Sequence, residues 1–211
     1  KESPVLWDVK FQTAIAQAEL ESVERNTLMN EIKFKSETSD DLIIATTRPE
    51  LLGGCVSVMI NPLDKRAKKL IGTYAITPLY NHKVPIIADK HVDLDKGTGL
   101  VMCCTFGDQI DIEWYKKYNL PLKMVITPDG KMNIASGIYN GQTIIDARKN
   151  IIDDLKKFKL LISQTKKKQI VQVGERSKEP IEIINSVQWY IKYLDQRSDF
   201  LKGMNQLNWY P

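Results

Sequence analysis

Residues 42–62, Leu-Ile-Ile-Ala-Thr-Thr-Arg-Pro-Glu-Leu-Leu-Gly-Gly-Cys-Val-Ser-Val-Met-Ile-Asn-Pro, hold two short apolar runs separated by a glycine pair. The first run, Leu42 to Thr47, is strand-like, and Arg48-Pro49 ends it because proline has no N–H to donate to a ladder. Gly53-Gly54 marks a turn, and Cys55 to Ile60 reads as a second, buried strand stopped by Asn61-Pro62.

The same rhythm continues on both sides. Upstream, Ile32 to Lys35 reads as a strand and Ser36 to Asp40 as a polar turn, whereas the scattered apolar positions from Ser3 to about Glu24 read as an extended connecting arm. Downstream, Asp64 to Leu70 predicts a short surface helix. Strands are expected at Tyr74–Thr77 and Val84–Ala88 around an Asn81-His82 turn, and at Leu100–Cys104 after Gly97-Thr98-Gly99. Asp108 to Tyr118 reads as a helix with Asp108 as N-cap and Asp111 three positions later. Leu122–Ile126 with Pro128-Asp129-Gly130 predicts one arm of a hairpin. Ile144, Ala147, Ile151, Leu155 and Phe158 recur at helical spacing over Thr143–Phe158, and a last strand pair is expected at Leu160–Ser163 and Gln169–Val173. Many short strands with only two or three helices imply an α+β domain, a β-barrel-like mixed sheet with flanking helices, in preference to a doubly wound sheet. Residues 1–30 are then an entry arm, 31–173 the core and 174–211 an exit arm. In the last stretch Glu175-Arg176-Ser177, Gln188-Trp189-Tyr190 and Trp209-Tyr210 bring charged and aromatic residues together without periodicity.

A chain of 211 residues that is 43% hydrophobic can bury a full core without staples. Its apolar runs fall short of a membrane span, and its start lacks the zones of a secretory signal, so a soluble, cytoplasmic protein without membrane partners is expected. The beginning at Lys1 and the close at Trp209-Tyr210-Pro211 lead to the expectation of a segment of a longer polypeptide. Three cysteines, two of them adjacent, and two histidines offer neither a disulfide framework nor the spaced ligands of zinc, and no metal is expected. The net charge of +4 is a small basic excess. It gathers at Lys156, Lys157, Lys159 and Lys166 to Lys168, which read either as a solvated helix end and loop or as an RNA phosphate contact.

Two stretches concentrate groups able to do chemistry. Thr46-Thr47-Arg48-Pro49-Glu50 sets two hydroxyls, a guanidinium and a carboxylate at a strand end; it is either the wall of a cleft or ordinary β-formers beside a surface ion pair. Gly97-Thr98-Gly99-Leu100-Val101-Met102, followed by Gly107-Asp108-Gln109-Ile110-Asp111, lets backbone or ligand approach closely and then opens a helix with two carboxylates. Those carboxylates fit an ammonium group, a general acid/base pair, or simply a good helix start. Phosphate-loop, nucleophile-elbow and zinc-protease patterns are not found, and Gly97-Thr98-Gly99 enters a strand where a dinucleotide loop would open a helix.

In this order, Ala-Thr-Thr-Arg-Pro-Glu (45–50), Gly-Thr-Gly-Leu-Val (97–101) and Gly-Asp-Gln-Ile-Asp (107–111) resemble the editing insertion of class I aminoacyl-tRNA synthetases, which the valyl, leucyl and isoleucyl enzymes share. Leu6-Trp7-Asp8 and Thr13-Ala14-Ile15 resemble the arm that enters the insertion, and Glu175-Arg176-Ser177 with Gln188-Trp189 the arm that leaves it. Arg48-Pro49-Glu50 looks most like the valyl branch. Met102, Cys104 and Gly107 depart from the lysine, threonine and histidine of many valyl enzymes.

The resemblance implies post-transfer hydrolysis of threonyl-tRNA(Val) at the acceptor end of the tRNA. The alternatives are a leucyl or isoleucyl editing domain, or a non-catalytic RNA-binding module. It implies that Asp111 receives the α-ammonium of the mischarged amino acid, and that Thr46 and Thr47 position the attacking water. Gly97, Thr98, Gly99, Met102 and Cys104 would line the pocket, Arg48 would face the terminal nucleotide or its phosphate beside Glu50, and Asp108 would either support Asp111 or simply cap its helix. No cofactor is implied for the hydrolysis, ATP being expected only in a catalytic domain outside these residues, whose remaining domains would be partners.

Overall fold

The alternation in residues 42–62 is realised as two strands of one mixed sheet, in a computed structural model that describes residues 1–37, 41–95 and 97–210. In chain order the elements are β1 (Glu2–Asp8), β2 (Thr13–Ala14), β3 (Leu20–Ser36), β4 (Asp41–Thr46), β5 (Cys55–Ile60), α1 (Ala67–Leu70), β6 (Tyr74–Ile76), β7 (Lys83–Ala88), β8 (Leu100–Cys104), α2 (Gln109–Tyr118), α3 (Ile144–Lys157), β9 (Leu161–Gly174), β10 (Glu182–Val187) and α4 (Arg197–Met204). Short 3-10 turns add Gln17–Glu19, Pro49–Gly54, Ile134–Tyr139 and Leu194–Gln196.

The larger sheet runs β4-β3-β6-β7-β5-β8, with β9 branching from β3. All neighbours are antiparallel except β5 and β7. The sheet curls until its two end strands, β4 and β8, touch without forming a ladder, so the α+β half-barrel expected from the sequence is what forms. Every residue of β5 is buried because the strand has cover on both faces. Val58 and Ile60 enter the main core with Ile32, Phe34, Ile44 and Leu100, while Val56 and Met59 pack with Trp114 and Leu120. A bulge between Cys55 and Ser57 turns Val56 to that second cluster. From α3, Ala147, Ile151 and Leu155 close the main core, whereas Phe158, expected on the same face, is exposed just past the helix end.

Several local expectations need correction. The strand expected at Ile32–Lys35 begins at Leu20, and the strand pair expected at 160–163 and 169–173 is the single strand β9. The two form a ladder from Leu20↔Gly174 to Ile32↔Leu161, about 40 Å long at the usual rise. The outer ribbon is nowhere fully buried between Ser22 and Met29 and carries polar or charged residues on both faces, so its sequence lacks an apolar alternation and reads as arm and loop. Lys166 to Lys168 accordingly sit in the ladder, opposite Leu28, Thr27 and Asn26. The ladder also runs unbroken through residue 30, where the sequence placed the edge of the core. The extended stretches at either end pair with each other as a second sheet, β10-β1-β2, with Trp7 opposite Glu182. Leu122–Ile126 forms no strand, but its end enters a short hairpin around Pro128-Asp129-Gly130: the bridge Ile126↔Met132 is flanked by Thr127 N–H to the Lys131 carbonyl at 2.8 Å and Asn133 N–H to the Val125 carbonyl at 2.9 Å. The Asp64–Leu70 helix is a single turn, α1. Residues 38–40 of the expected Ser36–Asp40 turn lie outside those described. Among the described residues no helix is long and apolar enough to cross a membrane.

Candidate functional site

Contact between β4 and β8 brings the three sequence motifs to one edge of the half-barrel. The Thr98 hydroxyl donates to the Ile43 carbonyl at 2.5 Å, and the Thr98 carbonyl accepts from Arg66 at 2.7 Å. Gly97 and Gly99 both have positive φ, and a Cβ on Gly97 would lie 3.0 Å from that of Ala45, so this loop needs glycine to cross the end of β4. Beyond Ala45, the Thr46 hydroxyl accepts from the Arg48 N–H at 3.0 Å. The Thr46 carbonyl accepts from Asn30 at 3.1 Å, and Gln164 of β9 in turn holds Asn30. Thr46 and Thr47 are half-buried.

The third motif lies on the far side of Arg48. Asp108 caps α2, accepting from the Asp111 N–H at 3.1 Å, and Asp111 Oδ2 accepts from the N–H groups of Asp108 and Gly107 at 3.2 and 3.0 Å. The turn has no slack, since a Cβ on Gly107 would sit 2.5 Å from Asp111 Oδ2. Asp111 is 6% exposed. Its burial, and secondarily the charge of Asp108, push its carboxyl up to about 7, against the backbone bonds and the neighbouring Cys103 thiol, which favour the charged form. The carboxyl therefore titrates near neutrality, and Asp108 serves as cap and electrostatic neighbour at once.

Three expected contact residues occupy other roles. Glu50 is fully buried: Oε1 accepts from Arg48 Nε at 3.0 Å and Arg148 Nη2 at 2.8 Å, and Oε2 from Arg148 Nε at 2.9 Å. Both oxygens are committed, so Glu50 acts as a structural counterion and not as a substrate contact or a surface pair. Burial opposes its charge, but the two arginines hold its carboxyl below the usual range. Met102 and Cys104 sit within the main core, and the hydrogen bond with the adjacent Cys55 thiol, together with burial, pushes the Cys104 thiol well up, so it is no nucleophile.

Arg48 is also corrected, from a free guanidinium facing a nucleotide to a clamp. Besides Glu50, Nη1 donates to the Gly107 carbonyl at 3.3 Å and Nη2 to Glu182 of β10 at 2.6 Å. Arg148 and Glu182 were missed in the sequence because they lie 98 and 134 residues from their partners, and nothing local in the Thr143–Phe158 helix or in the exit arm marks either as paired. Two clefts, of about 750 and 270 Å³, open elsewhere; Tyr80, Tyr139 and Phe158 line the first, the arm residues Asp8, Thr13, Ala14, Ile15, Glu175 and Arg176 line the second, and no residue of Thr46–Glu50, Gly97–Met102 or Gly107–Asp111 lines either. The candidate site is the junction where the motifs meet. Among the described residues no cluster of three or more histidine, cysteine, aspartate or glutamate side chains could hold a metal ion.

Against this geometry, a family model described as leucyl-tRNA synthetase, editing domain, matches residues 65–175. The chain is 53% identical over 209 residues to the valine–tRNA ligase of Rickettsia typhi, covering 99% of this chain and 26% of that protein. It is 44% identical over 220 residues to the valine–tRNA ligase of Ehrlichia ruminantium, covering 100% and 27%. It thus spans about a quarter of the length of these relatives. Among solved structures, LeuRS of Agrobacterium radiobacter K84, in a ternary complex with tRNA and LeuAMS, shares the fold with a TM-score of 0.52 at 16% identity, over 81% of this chain and 30% of that one.

Proposed function

Because the chain belongs to the family of class I aminoacyl-tRNA synthetase editing domains, we propose that it hydrolyses threonyl-tRNA(Val) as the proofreading unit of a valine–tRNA ligase. The observation that carries this reading is the meeting of Thr46-Thr47-Arg48 and Gly107–Asp111 at one nearly buried carboxylate, with Gly97-Thr98-Gly99 held against the same strand, β4. Identity of about half to several valine–tRNA ligases favours the valyl over the leucyl or isoleucyl substrate.

The need for a second sieve is physical. A pocket shaped for valine rejects threonine weakly, because a hydroxyl isostere fits; the known valyl example is about a hundredfold, a value taken from that case. In the proposed reaction Asp111 accepts charge-assisted bonds from the α-ammonium, and Thr46 and Thr47 hold a water against the ester carbonyl. Water adds to that carbon, the bond to the terminal ribose oxygen breaks, and that oxygen takes a proton, releasing threonine and intact tRNA. No cofactor is invoked. The partners are the acceptor end of the tRNA and the remaining domains of the ligase, and the site of action is the cytoplasm.

The test is deacylation by the full-length ligase. Threonyl-tRNA(Val) is expected to be cleaved and valyl-tRNA(Val) spared. Equal cleavage of both, or of neither, overturns the assignment, and cleavage of a mischarged leucine or isoleucine tRNA instead would move it to another branch.

A pH dependence accompanies the proposed role. The ionised form of Asp111 receives the ammonium, so kcat/KM is expected to rise through about pH 7 and level off above it. The residual rate of Asp111→Asn, at least about tenfold below the parent, serves as reference, since titration of the substrate amine is common to both proteins. Stability runs the other way: a carboxyl whose folded value is raised contributes fully below the ordinary aspartate value of about 4, and that contribution is lost as pH rises through about 7. A flat rate ratio between the two proteins from pH 6 to 8 would contradict the assignment of charge to Asp111.

A further inference from the structure

We propose that Glu182 and Arg148 are positioning residues for the hydrolysis: from two separate elements, β10 and α3, they fix Arg48, which pins the Gly107 turn that presents Asp111. The proposal rests on the editing reading above and deepens it.

The geometry is fully connected. All three guanidinium nitrogens of Arg48 are used, on Glu50, Gly107 and Glu182. Arg148 makes two of the three side-chain bonds to Glu50, so the side of Arg48 facing α3 is held through a buried carboxylate. Glu182 holds the other side from the small sheet β10-β1-β2. That sheet is itself anchored to the half-barrel by a Trp7 Nε1 bond to the Pro128 carbonyl at 2.8 Å.

What the clamp fixes is the reacting region. Arg48 reaches Thr46 through its own N–H and Gly107 through its side chain, so one residue sets the end of β4 against the turn before α2. Gly107 in turn donates to Asp111 Oδ2, with no room for even one added carbon between them. A displacement of the Gly107 carbonyl is therefore passed to the Asp111 carboxylate. Misplacement of a reacting group by about 1 Å costs on the order of a hundredfold in rate, whereas substrate binding spread over a tRNA is scarcely touched.

The experiment uses the full-length ligase with Glu182→Gln, Arg148→Met and Arg148→Lys, each assayed for threonyl-tRNA(Val) deacylation at a temperature where circular dichroism shows it folded. Glu182→Gln and Arg148→Met are expected to lower kcat by about tenfold to a hundredfold with KM within about threefold. Arg148→Lys should fall between, since it keeps the charge but loses the planar fork. A second readout separates positioning from bulk stability: a loosened turn admits water to Asp111, so the pH inflection near 7 should move down in Glu182→Gln. Should Arg148→Met not fold, Glu182→Gln decides alone.

Rates within twofold of the parent in a ligase whose Asp111→Asn variant is inactive would overturn this inference and leave the editing reading intact. A loss of rate that vanishes on cooling, with the inflection unmoved, would overturn it as well. A parent enzyme that leaves threonyl-tRNA(Val) intact overturns both.

Discussion

Asp111→Ala is expected to abolish proofreading of threonyl-tRNA(Val), lowering deacylation by at least tenfold to a hundredfold. A charge-assisted hydrogen bond to the substrate ammonium is worth about 1.5 to 3 kcal/mol, and drift of the ester carbonyl adds to its loss. Alanine also removes an acceptor for the Gly107 and Asp108 N–H groups, so it perturbs the start of α2 at a cost of about 0.5 to 2 kcal/mol. Asp111→Asn separates the two effects, because asparagine can keep those backbone bonds while carrying no charge. The native carboxyl is held near 7 by burial, so its ionised form is a burden on the fold in alkaline solution. At pH 8 Asp111→Asn should therefore melt at or above the parent temperature while deacylation is lost. Lower melting with near-normal deacylation would falsify the ammonium-binding role and leave Asp111 as part of a cap.

The second large effect concerns stability. Glu50→Ala is expected to cost about 3 kcal/mol, or about 6 to 12 °C in melting temperature for a domain of this size. The carboxylate is fully buried, and its removal leaves two guanidinium groups facing each other across a void. The lower end of the usual range for a broken buried pair applies because the Arg148 side chain keeps 41% of its exposure and water takes up part of its charge. Glutamine is no rescue, since its amide would set a donor against an arginine N–H. As the Glu50 carboxyl is held below its usual value in the fold, its contribution is present above the ordinary glutamate range and is lost as pH falls through the folded value. The gap between parent and variant in urea unfolding should thus narrow in acid. A loss under 1 kcal/mol at pH 7 would mean that the clamp adds little to the fold.

What could be read from the sequence was set by how local each signal is. Cys55–Ile60 and Leu100–Cys104 were legible to the residue because both are short, buried and bounded by Gly or Pro-containing turns. The start of α2 was legible because an N-cap aspartate and the acid three positions on lie within four residues. The β3–β9 ribbon was not, for a solvated ladder has no inside to mark. Within the site, the order of three motifs gave the junction, but the direction of each side chain came only from distant partners. Glu50 read equally well as a substrate contact or a surface acid until Arg148 closed over it. Met102 and Cys104 lie on the strand entering the site, yet the pleat turns both into the core.

The β3–β9 ribbon also imposes an order on folding. Its paired residues are far apart in the chain, Glu31 and Ser163 by 132 positions and Ser22 and Gln172 by 150. Closing so long a loop in a disordered chain costs about 4 kcal/mol from the length dependence alone, and a wet ladder returns little until apolar cover is in place. Closure cost therefore favours condensation of the half-barrel first, with the roots meeting at Ile32 and Leu161 and the ladder expected to zip outward towards Leu20 and Gly174. The outer end of the ribbon, and with it the β10 strand that brings Glu182 to Arg48, is expected to exchange its amide hydrogens ahead of the half-barrel core.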